Sequence, residues 1–83
     1  MTKSKNIELI KAFGEHIRNL RIERSMTQLE LAAEANIPLS QIGRIEQGDG
    51  NVTLSTLYNI AVAFNLTLSE LLAFYKKIQS NKG

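Results

Sequence analysis

The chain has no cysteine, no tryptophan, one proline (Pro38) and one histidine (His16) in its 83 residues. The absence of cysteine excludes a disulfide framework. A lone histidine without thiols cannot build the usual Cys/His metal site within one chain, so no metal and no other cofactor is expected. The same shortage leaves too few groups for a nucleophile, a base and a residue to orient them, and the chain is not expected to be an enzyme. Apolar runs are only a few residues long, against the roughly 20 needed to cross a bilayer. The opening stretch MTKSKNIELIKAFGEH lacks the apolar block of a secretion signal. No membrane association is expected, and a cytoplasmic location is. Strand-like alternation of apolar and polar residues is also missing, which leaves helices as the expected secondary structure.

What is present is a hydrophobic content of 43%, enough for one compact domain spanning 1–83 and for no second one. The formal net charge is +2, a small excess that permits a polyanionic partner without requiring one, because binding depends on where the charge lies.

Three threonines mark helix beginnings. Each follows an apolar residue and precedes a leucine by four: Met26-Thr27 with Leu31, Val52-Thr53 with Leu57, and Leu66-Thr67 with Leu71. Thr27 with Glu30 and Thr67 with Glu70 complete reciprocal capping boxes, whereas Thr53 has a threonine, Thr56, at the corresponding place. Upstream, Ile10, Phe13, Ile17 and Leu20 recur at steps of three and four, the stripe of an amphipathic helix that Gly14 weakens without ending. Asn36-Ile37-Pro38 separates two short helices, and Gly48-Asp49-Gly50-Asn51 ends the second. The spacing predicts an all-α domain of five helices, at about 6–24, 28–35, 39–47, 54–64 and 68–79.

The second and third of these are joined by about three residues, the connection length of a helix-turn-helix at about 28–47. Two closely crossing helices need a small residue on the inner face of the first, and Ala32 supplies it. The turn wants a residue tolerant of positive φ, and Asn36 is among the few besides glycine that are. Leu31, Ala35, Ile37, Ile42 and Ile45 occupy the positions that would face the core, and all are apolar.

With Thr27-Gln28-Leu29-Glu30-Leu31-Ala32 and Ile42-Gly43-Arg44-Ile45-Glu46-Gln47-Gly48 in place, the chain resembles the lambda-repressor and Cro-like (Xre-type) helix-turn-helix family. The likeness covers about 13–72, with 1–12 as an N-terminal extension and 73–83 as the C-terminal helix end and tail. Leu54-Ser55-Thr56-Leu57-Tyr58-Asn59-Ile60-Ala61 resembles the fourth helix of that family. Within it the chain is similar in size to controller proteins of restriction-modification systems and to phage-type repressors. The resemblance implies a sequence-specific transcriptional regulator whose third helix enters the major groove of a double-stranded operator.

If Ile42 and Ile45 face inward, helical spacing sends Leu39, Ser40, Gly43, Arg44 and Gln47 outward. Arg44 is the candidate reader of guanine, since its planar fork matches the two acceptors that guanine shows in the major groove. Ser40 suits a base edge or a phosphate, and Leu39 a thymine methyl group. Gly43 on an exposed helical face costs about 0.5–1 kcal/mol relative to alanine, which close approach to a groove would explain. Pro38 stands where the family often has a capping Ser or Thr. Gln28 begins the second helix, where the family uses such a residue on a phosphate. Asn51 and Thr53 are secondary candidates for the backbone, Thr53 having its capping duty as well.

Arg21 and Glu46 match positions that pair in the family, so a structural ion pair is expected of them. Leu71, Phe74, Tyr75 and Ile78 form an apolar stripe on the last helix and Leu68 with Leu72 another, an arc wide enough to suggest a homodimer seam. The alternative is that Ile7, Leu9 and Ile10 fold back over that surface. A palindromic operator read by a dimeric repressor or controller, with a possible contact to RNA polymerase, is the functional expectation. The rival is a protein-interaction module, antitoxin-like or polymerase-binding, on the same scaffold.

Overall fold

The computed structural model describes residues 6–74 of the chain. These form five helices and no strand: α1 (Ile7–Glu23), α2 (Gln28–Ala35), α3 (Leu39–Glu46), α4 (Leu54–Ala63) and α5 (Leu68–Leu71).

The threonines begin helices as their spacing predicts. Thr27 Oγ1 accepts from the Glu30 amide at 3.0 Å while the Thr27 amide donates to Glu30 Oε1 at 2.8 Å. Thr67 and Glu70 repeat both bonds with the same lengths. Thr53 caps α4 through the Thr56 amide at 3.1 Å. Each such cap contributes about 1 kcal/mol. Asn6 begins α1, its Oδ1 accepting from the Leu9 amide.

The helix ends share one device. Ser25, Asn36, Gly48 and Asn65 all take positive φ, 55°, 58°, 74° and 60°. The amide after each returns to a carbonyl five residues back: Met26 to Arg21, Ile37 to Ala32, Asp49 to Arg44 and Leu66 to Ala61, at 2.8–3.0 Å. This is the Schellman closure, which uses carbonyls a helix end would otherwise leave unpaired. Asn36 was expected in this conformation; Ser25 and Asn65 were not singled out by sequence.

The core is one cluster that includes Phe13, Ile17, Leu31, Ala32, Ala35, Ile42, Ile45, Ile60, Phe64 and Leu71. α1 packs on α3, α2 on α3 and α4, and α4 on α5. Of the five apolar positions assigned to the helix-turn-helix core, Leu31, Ala35, Ile42 and Ile45 are buried and Ile37 is half-buried.

The last helix departs from expectation. A single helix over 68–79 is predicted, but α5 ends at Leu71 and a turn follows at Leu72 and Ala73. The Leu71 carbonyl accepts a hydrogen bond from His16 Nε2 of α1 at 2.9 Å. Leu71 is also fully enclosed in the core of its own chain, so its side chain has no surface to offer a second copy. Its assignment to a dimer seam is therefore corrected. Phe74 is half-buried against Phe13 and stacked on His16, with ring centroids 5.8 and 4.9 Å away. Tyr75 and Ile78, the other two residues of that seam, lie outside the described residues.

Candidate nucleic-acid interface

α3 is held from below and bare above. Ile42 and Ile45 point into the core, while Leu39, Ser40, Arg44 and Gln47 are exposed. Pro38 precedes the helix at φ −63° and offers no side-chain cap. The Gln41 amide donates to the Pro38 carbonyl at 3.0 Å, so the helix start lacks only a side-chain cap over its first amides, the property that makes it attractive to an anion.

Ser40, Arg44 and Asn51 border one polar groove, together with Pro38, Gln41, Asp49 and Gly50. Gln28 and Leu39 border the adjoining shallow depression beside α2, with Leu29 and Ile22. Five of the candidate residues thus border two hollows beside α3, while Gly43, Gln47 and Thr53 line neither. Gln47 is exposed at the end of the helix. The Thr53 hydroxyl is committed within the chain, since it accepts from the Thr56 amide and donates to Thr56 Oγ1 at 3.1 Å. A Cβ added at Gly43 would meet nothing within 4 Å. Internal packing therefore gives no reason for a glycine there.

Arg44 projects freely, 64% of its side chain exposed, with Nε 3.5 Å from the carboxylate of Asp49, itself 63% exposed. A pair this open contributes at most about 1 kcal/mol, so Asp49 restrains the guanidinium without occupying it.

Behind α3 lies a denser network. Arg21 of α1 places Nε 2.7 Å and Nη2 3.0 Å from the two oxygens of Glu46, and Gln28 Nε2 of α2 donates to Glu46 Oε1 at 3.0 Å. Arg21 Nη1 also donates to the Met26 carbonyl at 2.8 Å. Burial works against an ionised Glu46, but the hydrogen bonds from Arg21 and Gln28 and the charges of Arg21 and Arg18 outweigh it, holding the carboxyl below its usual range. Arg21 is raised in return, chiefly by the hydrogen bond to Glu46. The expected Arg21–Glu46 pair is present. The inclusion of Gln28 is new: its amide nitrogen gives one hydrogen to Glu46 and keeps a second for an outside acceptor. The role proposed for Gln28 and the structural pair thus share one carboxylate.

Three features escaped the sequence reading. Gln41 and Asp49 border the groove although neither lies on the outermost line of α3. Gly14 lets α1 touch the end of α3, since a Cβ there would collide with the Ile45 carbonyl oxygen and lie 3.0 Å from that of Glu46. Charge is the third. Residues 6–74 contain Lys11, Arg18, Arg21, Arg24 and Arg44 as their only lysines and arginines, while all eight carboxylate residues of the chain fall in the same span. The positive excess of the whole sequence therefore resides in Lys3, Lys5, Lys76, Lys77 and Lys82.

Residues 17–71 match the sequence profile described as Helix-turn-helix. The chain belongs to the helix-turn-helix family. Among similar members, Control protein C.SmaI of Serratia marcescens is 32% identical over 66 residues, covering 80% of this chain and 79% of that protein. The immunity repressor protein of Bacillus phage phi105 is 38% identical over 58 residues. The match covers 70% of this chain and only 40% of the repressor. The crystal structure of the restriction-modification controller protein C.AhdI from Aeromonas hydrophila superposes with a TM-score of 0.72 at 32% identity, over 80% of this chain and 98% of that one. This helix-turn-helix chain thereby joins the DNA-binding transcriptional regulators, and the all-helical fold expected of it is the fold of its solved relatives. Among the described residues, no helix is long and apolar enough to cross a membrane.

Proposed function

We propose that this DNA-binding regulator works as a homodimer on a two-fold symmetric operator, placing two copies of α3 about 34 Å apart in successive major grooves. Arg44 reads a guanine on each half-site through its outward fork. Ser40, Leu39 and Gln47 complete the reading face, while Gln28 and Asn51 hold phosphates on either side. Gly43 lets the helix backbone come close to the base edges. Bound at a promoter, such a dimer represses by excluding polymerase, and its own concentration sets occupancy. No enzymatic step is assigned to it.

The observation that carries this reading is the outer face of α3: Ser40 and Arg44 lie exposed opposite buried Ile42 and Ile45, with half-buried Gly43 between them and an ion-paired Glu46 behind. The kinship with control proteins and with a phage repressor supports the regulatory role.

Selection of bound sequences from a random double-stranded pool tests it. The expected outcome is an inverted repeat with a preferred guanine in each half. Binding with no preference over random DNA overturns it and favours a module that recognises another protein.

A further inference from the structure

Exposed apolar side chains are normal when scattered, but on α4 they are aligned. Leu54, Tyr58 and Val62 are 70%, 60% and 54% exposed. Their spacing of four places them on one ridge of the helix. The face of α4 that carries Ile60, Ala61 and Phe64's approach to the core points elsewhere, toward α2 and α5. None of the three borders either hollow flanking α3.

The ridge belongs to the longest uncharged stretch of the sequence. From Gly50 to Ser69 there is no Asp, Glu, Lys or Arg, although the chain has ten basic and eight acidic residues. Asp49 and Glu70 bound that stretch. A two-fold contact sets a surface against itself, so any charge near the axis would meet its own copy at a cost of several kcal/mol. A surface without charge is free of that cost.

The register is also self-complementary. With the axis passing at Tyr58, residues four before and four after exchange places across an antiparallel helix pair: Leu54 of one chain meets Val62 of the other. Ridges built on steps of four pack into one another at a crossing angle of about 50°. Two aromatic rings at the centre, flanked by aliphatic pairs, make the compact apolar middle that specific interfaces have.

We propose that this outer ridge of α4 is the surface on which two copies of the chain meet. The inference rests on the dimeric reading above and replaces α5 with α4 as its seam. A further exposed apolar set, Ile22, Leu29 and Leu39, lies in a hollow beside α3, where a second copy would cover the proposed reading helix.

Sedimentation equilibrium of the full chain at increasing concentration is expected to give twice the chain mass. Tyr58→Glu, which sets two like charges at the axis, is expected to raise the dimer dissociation constant roughly a hundredfold with unchanged helical circular dichroism. Leu29→Glu, at a comparably exposed apolar position of α2, is expected to leave the dimer mass unchanged. Because the chain has no cysteine, Tyr58→Cys supplies a lone thiol that a short bismaleimide is expected to join to its own copy. Leu54→Cys is expected to link efficiently only when mixed with Val62→Cys. A wild-type dimer that Tyr58→Glu leaves intact, or that Tyr58→Cys does not cross-link, overturns the α4 surface while the dimeric reading survives. A wild-type chain monomeric at every concentration overturns both.

Discussion

Gln28 of α2 is bonded to Glu46 of α3, Nε2 to Oε1 at 3.0 Å, across the turn that separates the two helices. The carboxylate that receives it is also the partner of Arg21. One side chain therefore ties α1, α2 and α3 together beneath the exposed face of α3, with its own side chain 4% exposed and that of Arg21 14% exposed.

Removing that carboxylate strands a largely buried guanidinium. Glu46→Ala is expected to lower stability by about 3 kcal/mol, the scale for breaking one side of a buried pair, and the melting temperature by at least about 10 °C. Thermal unfolding followed by circular dichroism measures it. A loss under about 1 kcal/mol would mean that water already pairs with Arg21.

Acid should weaken the fold in two stages. His16 is shifted below 6.5, first by burial, so the unfolded chain takes up its proton before the folded one and stability declines as pH falls below 6.5. Glu46 is shifted below 4.5, so its contribution is complete above that value and is lost as pH falls through its lower folded pKa. Denaturant titrations across this range are expected to show both declines, with the lower one absent in Glu46→Gln.

Two glycines should respond oppositely to alanine. Gly14→Ala forces a Cβ onto the carbonyls of Ile45 and Glu46, both backbone, and is expected to cost about 1–3 kcal/mol despite the better helix propensity of alanine. Gly43→Ala has open space and is expected to gain about 0.5–1 kcal/mol. The same variant should bind operator more weakly, since the added methyl group holds α3 away from the groove. A stable variant with undiminished affinity would refute the close approach.

Base reading and phosphate holding separate by sequence dependence. Arg44→Ala is expected to lose about 1–3 kcal/mol of discrimination at one base pair in each half-site. Gln28→Ala is expected to weaken all sequences alike. Binding to the selected operator and to single-position variants of it distinguishes the two profiles.

Asp49 holds a negative charge beside Arg44 on the face proposed to meet DNA. Asp49→Asn is expected to raise affinity severalfold on any sequence, by roughly the 0–1 kcal/mol of an exposed pair together with relief of repulsion. Titrations at two salt concentrations should show the gain shrink as salt rises.

The helix starts at Thr27, Thr53 and Thr67, the αL turn at Asn36 and the inward set Leu31, Ala35, Ile42 and Ile45 were legible in sequence. Each depends on residues within a few positions of one another, and local capping or periodicity decides them. Tertiary structure decided what depends on distant chain meeting. The hydrogen bond from His16 to the Leu71 carbonyl joins α1 to α5 across 55 positions. The need for Gly14 arises from the end of α3, and the share of Gln28 in Glu46 from the crossing of two helices. The sequence pattern also assigned Leu71 to a dimer seam, because periodicity reports which residues share a face and not what that face meets. Leu71 turned out to fill the core, while the ridge of Leu54, Tyr58 and Val62 remained bare once α2 and α5 had taken the other side of α4.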